Sequence, residues 1–240
     1  MIDFEILKGK NAFISGATGA IGGAVAKKLA DYGCNLFLTG TSQSKLQKLS
    51  DDLSKFKINV AYKEGDFRHK DQIYKIIAES NSYAETFDIV INVAGIFPQL
   101  NLHDSNDEIY EDSMNINFRS AFIFSREFSK KMVSQKWGRI VNIGSVSSYY
   151  GYKSTSLYCA SKHALLGFSR AIHEELKQYN VRTFSILPSS TQSEMGLQTK
   201  NQDYSTFLNP IEIANYVVFV VSHDNNLISK EILLERMVIK

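Results

Sequence analysis

Short runs of β-forming residues alternate with longer stretches of helical periodicity along this chain, and no other feature constrains its fold as strongly. The runs cover 11–15, 35–39, 58–62, 88–92, 139–144, 181–187 and 231–234; helical stretches lie near 20–32, 43–55, 69–80, 106–135, 155–179 and 210–222. FDIVIN, GRIVNIG and VRTFSIL are apolar at consecutive rather than alternate positions, the pattern of strands covered on both faces. Within 155–179, Leu157, Ala160, Ala164, Phe168, Ala171, Ile172 and Leu176 form a helical stripe. Asn180, which tolerates a left-handed turn, follows it. Repeated strand–helix alternation implies right-handed βαβ crossovers, hence an α/β fold: one domain over 1–240, a doubly wound parallel sheet of about seven strands with helices on both faces. In such sheets ligands bind beyond the carboxyl ends of the strands, so those ends are where chemistry is expected.

Composition narrows the class. With 44% hydrophobic residues in 240, the chain can bury a large core, which excludes disorder. Lys and Arg total 27 against 25 Asp and Glu, too even to offer a nucleic acid or an anionic membrane a basic face. Three prolines and no Gly/Ser-rich run leave no linker. Two cysteines, Cys34 and Cys159, suit a reducing compartment, and with five histidines they show no metal-site spacing. Residues 1–10 (MIDFEILKGK) lack a signal-peptide core, and the apolar stretches at 89–97 and 216–221 fall short of the roughly 20 residues of a membrane span. The expectation is a cytoplasmic protein with no metal, nucleic-acid or membrane partner.

The first strand runs into Ser15-Gly16-Ala17-Thr18-Gly19-Ala20-Ile21-Gly22-Gly23 and then a helix. A strand, a turn of small residues and a helix N-terminus make an anion site, because free N–H groups and the helix dipole face a phosphate that glycines let approach. The same glycines would also serve a tight turn or close helix packing. The second strand ends in Thr39-Gly40-Thr41-Ser42, where dinucleotide sites that take NAD carry an acid for the ribose hydroxyls. No acid stands there; hydroxyls and nearby Lys45 favour NADP(H) over NAD(H). After the third strand, Asp66 and Phe67 follow Gly65. Asp66 could accept an adenine amino hydrogen or cap a loop.

Ser145 follows the fifth strand, and Tyr158 and Lys162 follow downstream at i and i+4, on one helix face about 5–6 Å apart at Cβ. An ammonium that close favours the phenolate and lowers the tyrosine pKa from about 10 toward neutrality. Such a group gives or takes a proton at working pH. A second pair of this spacing, Tyr149 and Lys153, lies in SVSSYYGYKSTS, which lacks a helical stripe and reads as a loop.

SGATGAIG, Asn92-Val93-Ala94-Gly95, Ser145 and Tyr158-x3-Lys162, in this order and spacing, resemble the short-chain dehydrogenase/reductase family, nearest to its members that reduce 3-oxoacyl groups on acyl-carrier protein. The resemblance covers Lys8 to about Met195. It implies a Rossmann-type domain. Gly16, Thr18, Ile21 and Gly22 would lie on the pyrophosphate turn, Thr41, Asp66 and Phe67 about the adenosine, and Asn92, Ala94 and Gly95 along the cofactor. Pro188 and Ser193 would border it after the sixth strand. Asn117, in MNINFRSAF, matches the asparagine of a tetrad completed by Ser145, Tyr158 and Lys162. Those last two would also contact the nicotinamide ribose.

The implied reaction is hydride transfer between nicotinamide and a carbonyl or secondary alcohol, with Ser145 on the substrate oxygen, Tyr158 as its acid or base, and Asn117 supporting a water relay to Lys162. A small-molecule carbonyl or alcohol substrate, free or as a carrier-bound acyl chain, and a homodimer or homotetramer are what the same resemblance implies. NAD-dependent alcohol oxidation and a non-catalytic nucleotide-binding regulator are the alternatives. Departures are Ala20 for the family's middle turn glycine, Pro188-Ser189 for its Pro-Gly, Ser193 for its threonine, and an ending, ISKEILLERMVIK, without glycines. The segment 189–209 reads as a lid. With 96–107 and Tyr149, Tyr150 and Tyr152, it is expected to shape the substrate pocket.

Overall fold

A computed structural model of the chain describes residues 4–199, 202–226 and 228–237. Residues 200 and 201 of the expected lid, and 1–3 and 238–240 of the expected domain, lie outside them. The strands are β1 (Asn11–Ser15), β2 (Asn35–Gly40), β3 (Val60–Glu64), β4 (Ile89–Asn92), β5 (Gly138–Ile143), β6 (Val181–Pro188) and β7 (Glu231–Leu234). All neighbours pair in parallel in the order β3-β2-β1-β4-β5-β6-β7, the doubly wound sheet expected. Helices α1 (Ala20–Asp31), α2 (Gln43–Leu53), α3 (Lys70–Tyr83), α4 (Asp107–Met114), α5 (Ser120–Gln135), α6 (Ser156–Leu176) and α7 (Pro210–Val221) connect them. β3 starts two residues later than its apolar run because pairing with β2 sets Leu36 opposite Val60 and Gly40 opposite Glu64.

Consecutive apolar residues make sense once both faces are covered. Ala12 and Ile14 join one core with Val25, Leu46 and Val217 from α1, α2 and α7. Phe13 points the other way, to Ile73 of α3 and to Phe124 and Phe128 of α5, each ring centre 4.7 Å from its own. Burying a side chain of this size contributes about 1.5–3 kcal/mol, so each strand is pinned from both sides.

The stretch expected as one helix over 106–135 is broken. A π-turn, Asn115–Arg119, joins α4 to α5. The extra residue in that turn brings the Asn117 amide against the loop after β4, accepting from Ile96 N at 2.7 Å and donating to Ile96 O at 3.0 Å. Apolar periodicity does not register one inserted residue, and π-turns of this kind gather at functional sites. The stripe in 155–179 is α6, followed by a 3-10 turn (Lys177–Tyr179) and by Asn180 in the left-handed conformation at φ 56°.

The turn between β1 and α1 is packed backbone against backbone. Gly16 has φ +66°, and a Cβ there would lie 2.7 Å from Ala94 N at the end of β4. A Cβ on Gly22 would lie 2.2 Å from Gly16 O and 2.9 Å from the Ala17 Cα. Both atoms belong to main chain and cannot swing aside. Gly22→Ala is therefore expected to destabilise the fold by about 1–3 kcal/mol. A urea midpoint equal to the parental one would contradict this packing.

Candidate active site

A cleft of about 1970 Å³ opens at the carboxyl ends of the strands. Gly16, Thr18, Ile21, Thr41, Asp66 and Phe67 line its part near β1, β2 and β3. Ala94, Gly95, Ser145, Tyr158 and Lys162 line the part near β4 and β5, and Pro188 and Ser193 the part after β6. Gly22, Asn92 and Asn117 are not on its surface: Gly22 packs the turn, and the two asparagines act from behind the wall.

At the glycine end, α1 begins at Gly19 with no side-chain cap. The first-turn N–H groups of an α-helix have no partner within the helix, and their dipole favours negative charge. Gly19, Ala20 and Ile21 line the cleft at this point, so this end is built to take an anion. Gly40 leaves room for the Thr18 side chain, whose Oγ1 would stand 2.9 Å from a Cβ there. Beyond β2, Lys45 reaches across to Glu194, 3.1 Å from its Oε1. An acid does approach this corner from elsewhere: Glu64, at the end of β3, accepts from Gln43 N at 3.2 Å. Only the register of β3 on β2 brings it there, so no local sequence signal marks it. Asp66 is held by Arg68, which donates through Nε at 2.8 Å. That partner keeps its carboxyl below the ordinary range.

The other end gathers the four tetrad candidates. Ser145 caps a 3-10 turn, Val146–Ser148, accepting from Ser147 N at 3.1 Å. Its hydroxyl also favours the ionised form of the buried Tyr158 phenol. Lys162, one turn along α6, donates from Nζ to Ile143 O at 2.9 Å and lies 5.7 Å from the centre of the Tyr158 ring. Asn117 donates from Nδ2 to Ser161 Oγ at 2.9 Å as well as to Ile96 O. Gly95 sits between: a Cβ on it would be 3.3 Å from Asn117 Oδ1 and 3.6 Å from Lys162 Nζ.

The electrostatics differ from the expectation that the lysine makes the phenol acidic. Burial is the largest influence on Tyr158 and pushes it up to about 12; the Ser145 hydroxyl works against this, and Cys159 adds to the rise. Burial also pulls Lys162 down to about 8. Both groups have lost water, and the ammonium directs an N–H to Ile143 O rather than to the phenol, so dehydration outweighs their attraction. Tyr158 is a neutral phenol throughout the neutral range.

A profile of the short chain dehydrogenase family matches residues 10–204. The chain belongs to this family. It is 30% identical over 242 residues to the 3-oxoacyl-acyl-carrier-protein reductase FabG of Rickettsia bellii, covering 97% of this chain and 96% of that one. It is 32% identical over 189 residues to the 2,3-dihydro-2,3-dihydroxybenzoate dehydrogenase of Bacillus subtilis, covering 79% and 72%. A metagenomic short-chain oxidoreductase in complex with NADP superposes with a TM-score of 0.84 at 24% identity, over 96% of this chain and 99% of that one. The alcohol dehydrogenase of Thermococcus sibiricus, complexed with 5-hydroxy-NADP, superposes with a TM-score of 0.88 at 22% identity, over 96% and 97%. The protein is thus a short-chain dehydrogenase/reductase, an oxidoreductase acting between CH–OH and C=O, with the nucleotide-binding fold of that family.

Some expected residues of this dehydrogenase do other work. Asn92 donates to Ser125 Oγ at 3.1 Å and to Asn142 Oδ1 at 2.8 Å, and Asn142 donates to Ser169 Oγ at 2.8 Å. This buried ladder ties β4 and β5 to α5 and α6 beneath the cleft. Tyr149 is turned to Glu231 and Arg170 on the surface, and neither it nor Tyr150 lines the cleft, whereas Tyr152 does. Lys153 lies in a loop, as its lack of a stripe implies, and borders the cleft. In the expected lid, Thr191 bridges to Leu208, and Ser193 Oγ donates to Thr191 O and accepts from Gly196 N. Arg236, which sequence reasoning missed, fastens the far part of that segment. It donates to Gln202 Oε1 at 2.7 Å and to Thr206 Oγ1 at 3.2 Å, and stacks over the Phe207 ring. Among the described residues no helix is long and apolar enough to cross a membrane, and no cluster of three or more His, Cys, Asp or Glu could hold a metal.

Burial of Lys162 has a measurable signature. The unfolded chain holds this proton up to the ordinary 10.5, whereas the folded protein releases it at about 8. Between those values the unfolded state binds more protons, so the contribution of Lys162 to stability improves as pH rises and is worst below 8. Lys162→Met is expected to be more stable than the parent at pH 7, by up to about 3 kcal/mol. That advantage should shrink toward pH 10 in urea titrations; a pH-independent difference would contradict the burial.

Proposed function

We propose that this protein is an NADPH-dependent reductase that converts a ketone of the 3-oxoacyl type, free or on a carrier, into the secondary alcohol. The observation that carries this reading is that Ser145, Tyr158 and, one helical turn on, Lys162 line the same cleft as the uncapped start of α1. The residues present fit a dinucleotide. Gly16, Thr18 and Ile21 would hold its pyrophosphate; Thr41, Asp66 and Phe67 would flank the adenosine; Ala94, Gly95, Pro188 and Ser193 would border the remainder, and Lys162 the second ribose. When bound, the dinucleotide supplies the hydride.

The protein's own part is proton delivery and charge stabilisation. Ser145 Oγ donates to the carbonyl oxygen and stabilises the negative charge growing there. Tyr158 gives that oxygen its proton. A phenol kept protonated by burial suits donation, which favours the reductive direction. Lys162, charged below about 8, stands next to the phenol that must become negative and limits the cost of its proton loss. The Asn117 amide, with both N–H groups engaged, holds the Ile96 loop against α6. Any water relay would therefore use backbone rather than this side chain.

The preference for NADPH is supported by Lys45 and the hydroxyl of Thr41 on the cleft wall, and by the NADP in the metagenomic relative. The 3-oxoacyl class is supported by the FabG relatives and by a cleft whose outer wall mixes Phe97, Leu100 and Tyr152 with Lys153 and Gln202. Exposed Ile211, Tyr216 and Phe219 on α7 and Leu233 on the edge strand β7 support assembly into a homodimer or homotetramer. The test is NADPH oxidation with acetoacetyl thioesters, ketosteroids, quinones and keto-sugars. Tyr158→Phe should reduce turnover at least about a hundredfold while dinucleotide binding stays nearly parental. Near-parental turnover by that variant would remove Tyr158 as the acid. Turnover confined to NAD and an alcohol would reverse the direction, as the name of the Bacillus dihydrodiol relative would have it.

A further inference from the structure

Lys45 and Glu194 come from opposite sides of the cleft. Lys45 stands in the first turn of α2, directly after the end of β2; Glu194 stands six residues beyond β6. Separated by 149 positions in sequence, they meet with Lys45 Nζ 3.1 Å from Oε1 and 3.5 Å from Oε2 of Glu194. Both line the cleft.

Lys27 and Lys48 also line the cleft, but Lys45 is the lysine of this corner that meets a carboxylate from the far side. Lys27 faces Asp52 at 3.8 Å. The Ser42 hydroxyl is engaged by Lys45 N and Ser44. Glu64 binds Gln43 N, and Lys48 lies one helical turn further from β2. A phosphate arriving beside Thr41 and Ser42 thus meets an ammonium that already has a carboxylate partner, and the carboxylate itself.

We propose that Glu194 is a specificity-determining residue that weakens the protein's discrimination in favour of NADP by competing with the 2′-phosphate for Lys45. This rests on the reading that the ribose phosphate of NADP sits at the end of β2. A dinucleotide with the phosphate must exchange the Lys45–Glu194 pair for a Lys45–phosphate pair; one without it leaves the pair intact. Both side chains are largely exposed, 56% and 89%, and ion pairs in such settings are weak. A phosphate, with more charge than one carboxylate, therefore displaces Glu194 at a small cost, and that cost is what the carboxylate sets.

The experiment is calorimetric titration of NADP+ and NAD+ into the parent, Glu194→Gln, Lys45→Met and the double variant. Glu194→Gln should tighten NADP+ by about threefold to fivefold and leave NAD+ within about twofold. Lys45→Met should weaken NADP+ alone, and adding Glu194→Gln to it should then give less than half of the gain seen in the parent, because the competition has lost its object. If Lys45→Met leaves the NADP+ to NAD+ ratio unchanged, the phosphate does not sit there, and both the reading of the β2 end and this proposal fall. If Lys45→Met weakens NADP+ but Glu194→Gln changes nothing, or tightens both dinucleotides alike, the reading stands and the role of Glu194 alone is lost. A full gain from Glu194→Gln in the Lys45→Met background would also overturn it, since the carboxylate would then act without Lys45.

Discussion

β1 is hydrogen-bonded to β2 on one side and β4 on the other; the connection that leaves its carboxyl end runs through α1 toward β2, whereas the one that leaves β4 runs through α4 and α5 toward β5. The crevice exists because of that divergence, and its depth is set by how closely the β1 turn can approach the end of β4. Gly16, at φ +66° and against the Ala94 backbone, is the point of approach. Any side chain there would lift the start of α1 from the sheet and move its open N–H groups out of line with Gly95, Tyr158 and Lys162. The floor under this contact is equally fixed, by the Asn92, Asn142 and Ser169 ladder and by Phe13 packed between α3 and α5.

At the reacting end the governing quantity is lost hydration. Tyr158 and Lys162 are both buried on α6, and each responds by favouring its neutral form. Buried polar groups without partners are costly, and this site supplies partners sparingly: Ser145 for the phenol, Ile143 O for the ammonium, Ser161 and Ile96 for Asn117. The result is a phenol that holds its proton across the neutral range. The π-turn at 115–119 belongs to the same economy of groups, since it is what lets one asparagine serve both the β4 loop and α6.

Much of the architecture was legible along the chain, because consecutive apolar residues and helical stripes record which surfaces are buried. Every expected strand run contains a strand, and the tyrosine chosen on its helical stripe is the one in the cleft, while Tyr149 is on the surface with Glu231. Asn92, Asn117 and Gly22 sit in motifs yet act through packing rather than by lining the cleft. The helix break, the Glu64 contact with α2 and the Arg236 fastening of the segment after β6 left no pattern of spacing, since each joins residues through the sheet or across loops.

Local order along the chain therefore determined the strand and helix sequence, the glycine-rich turn after β1 and the i, i+4 placement of Tyr158 and Lys162, all of which depend on neighbours within a few positions. Protonation was decided only by the tertiary structure. The attraction of an ammonium for a phenolate can be read from their spacing, but the water each group loses depends on what the rest of the fold stacks over it. In this protein that loss is the larger effect.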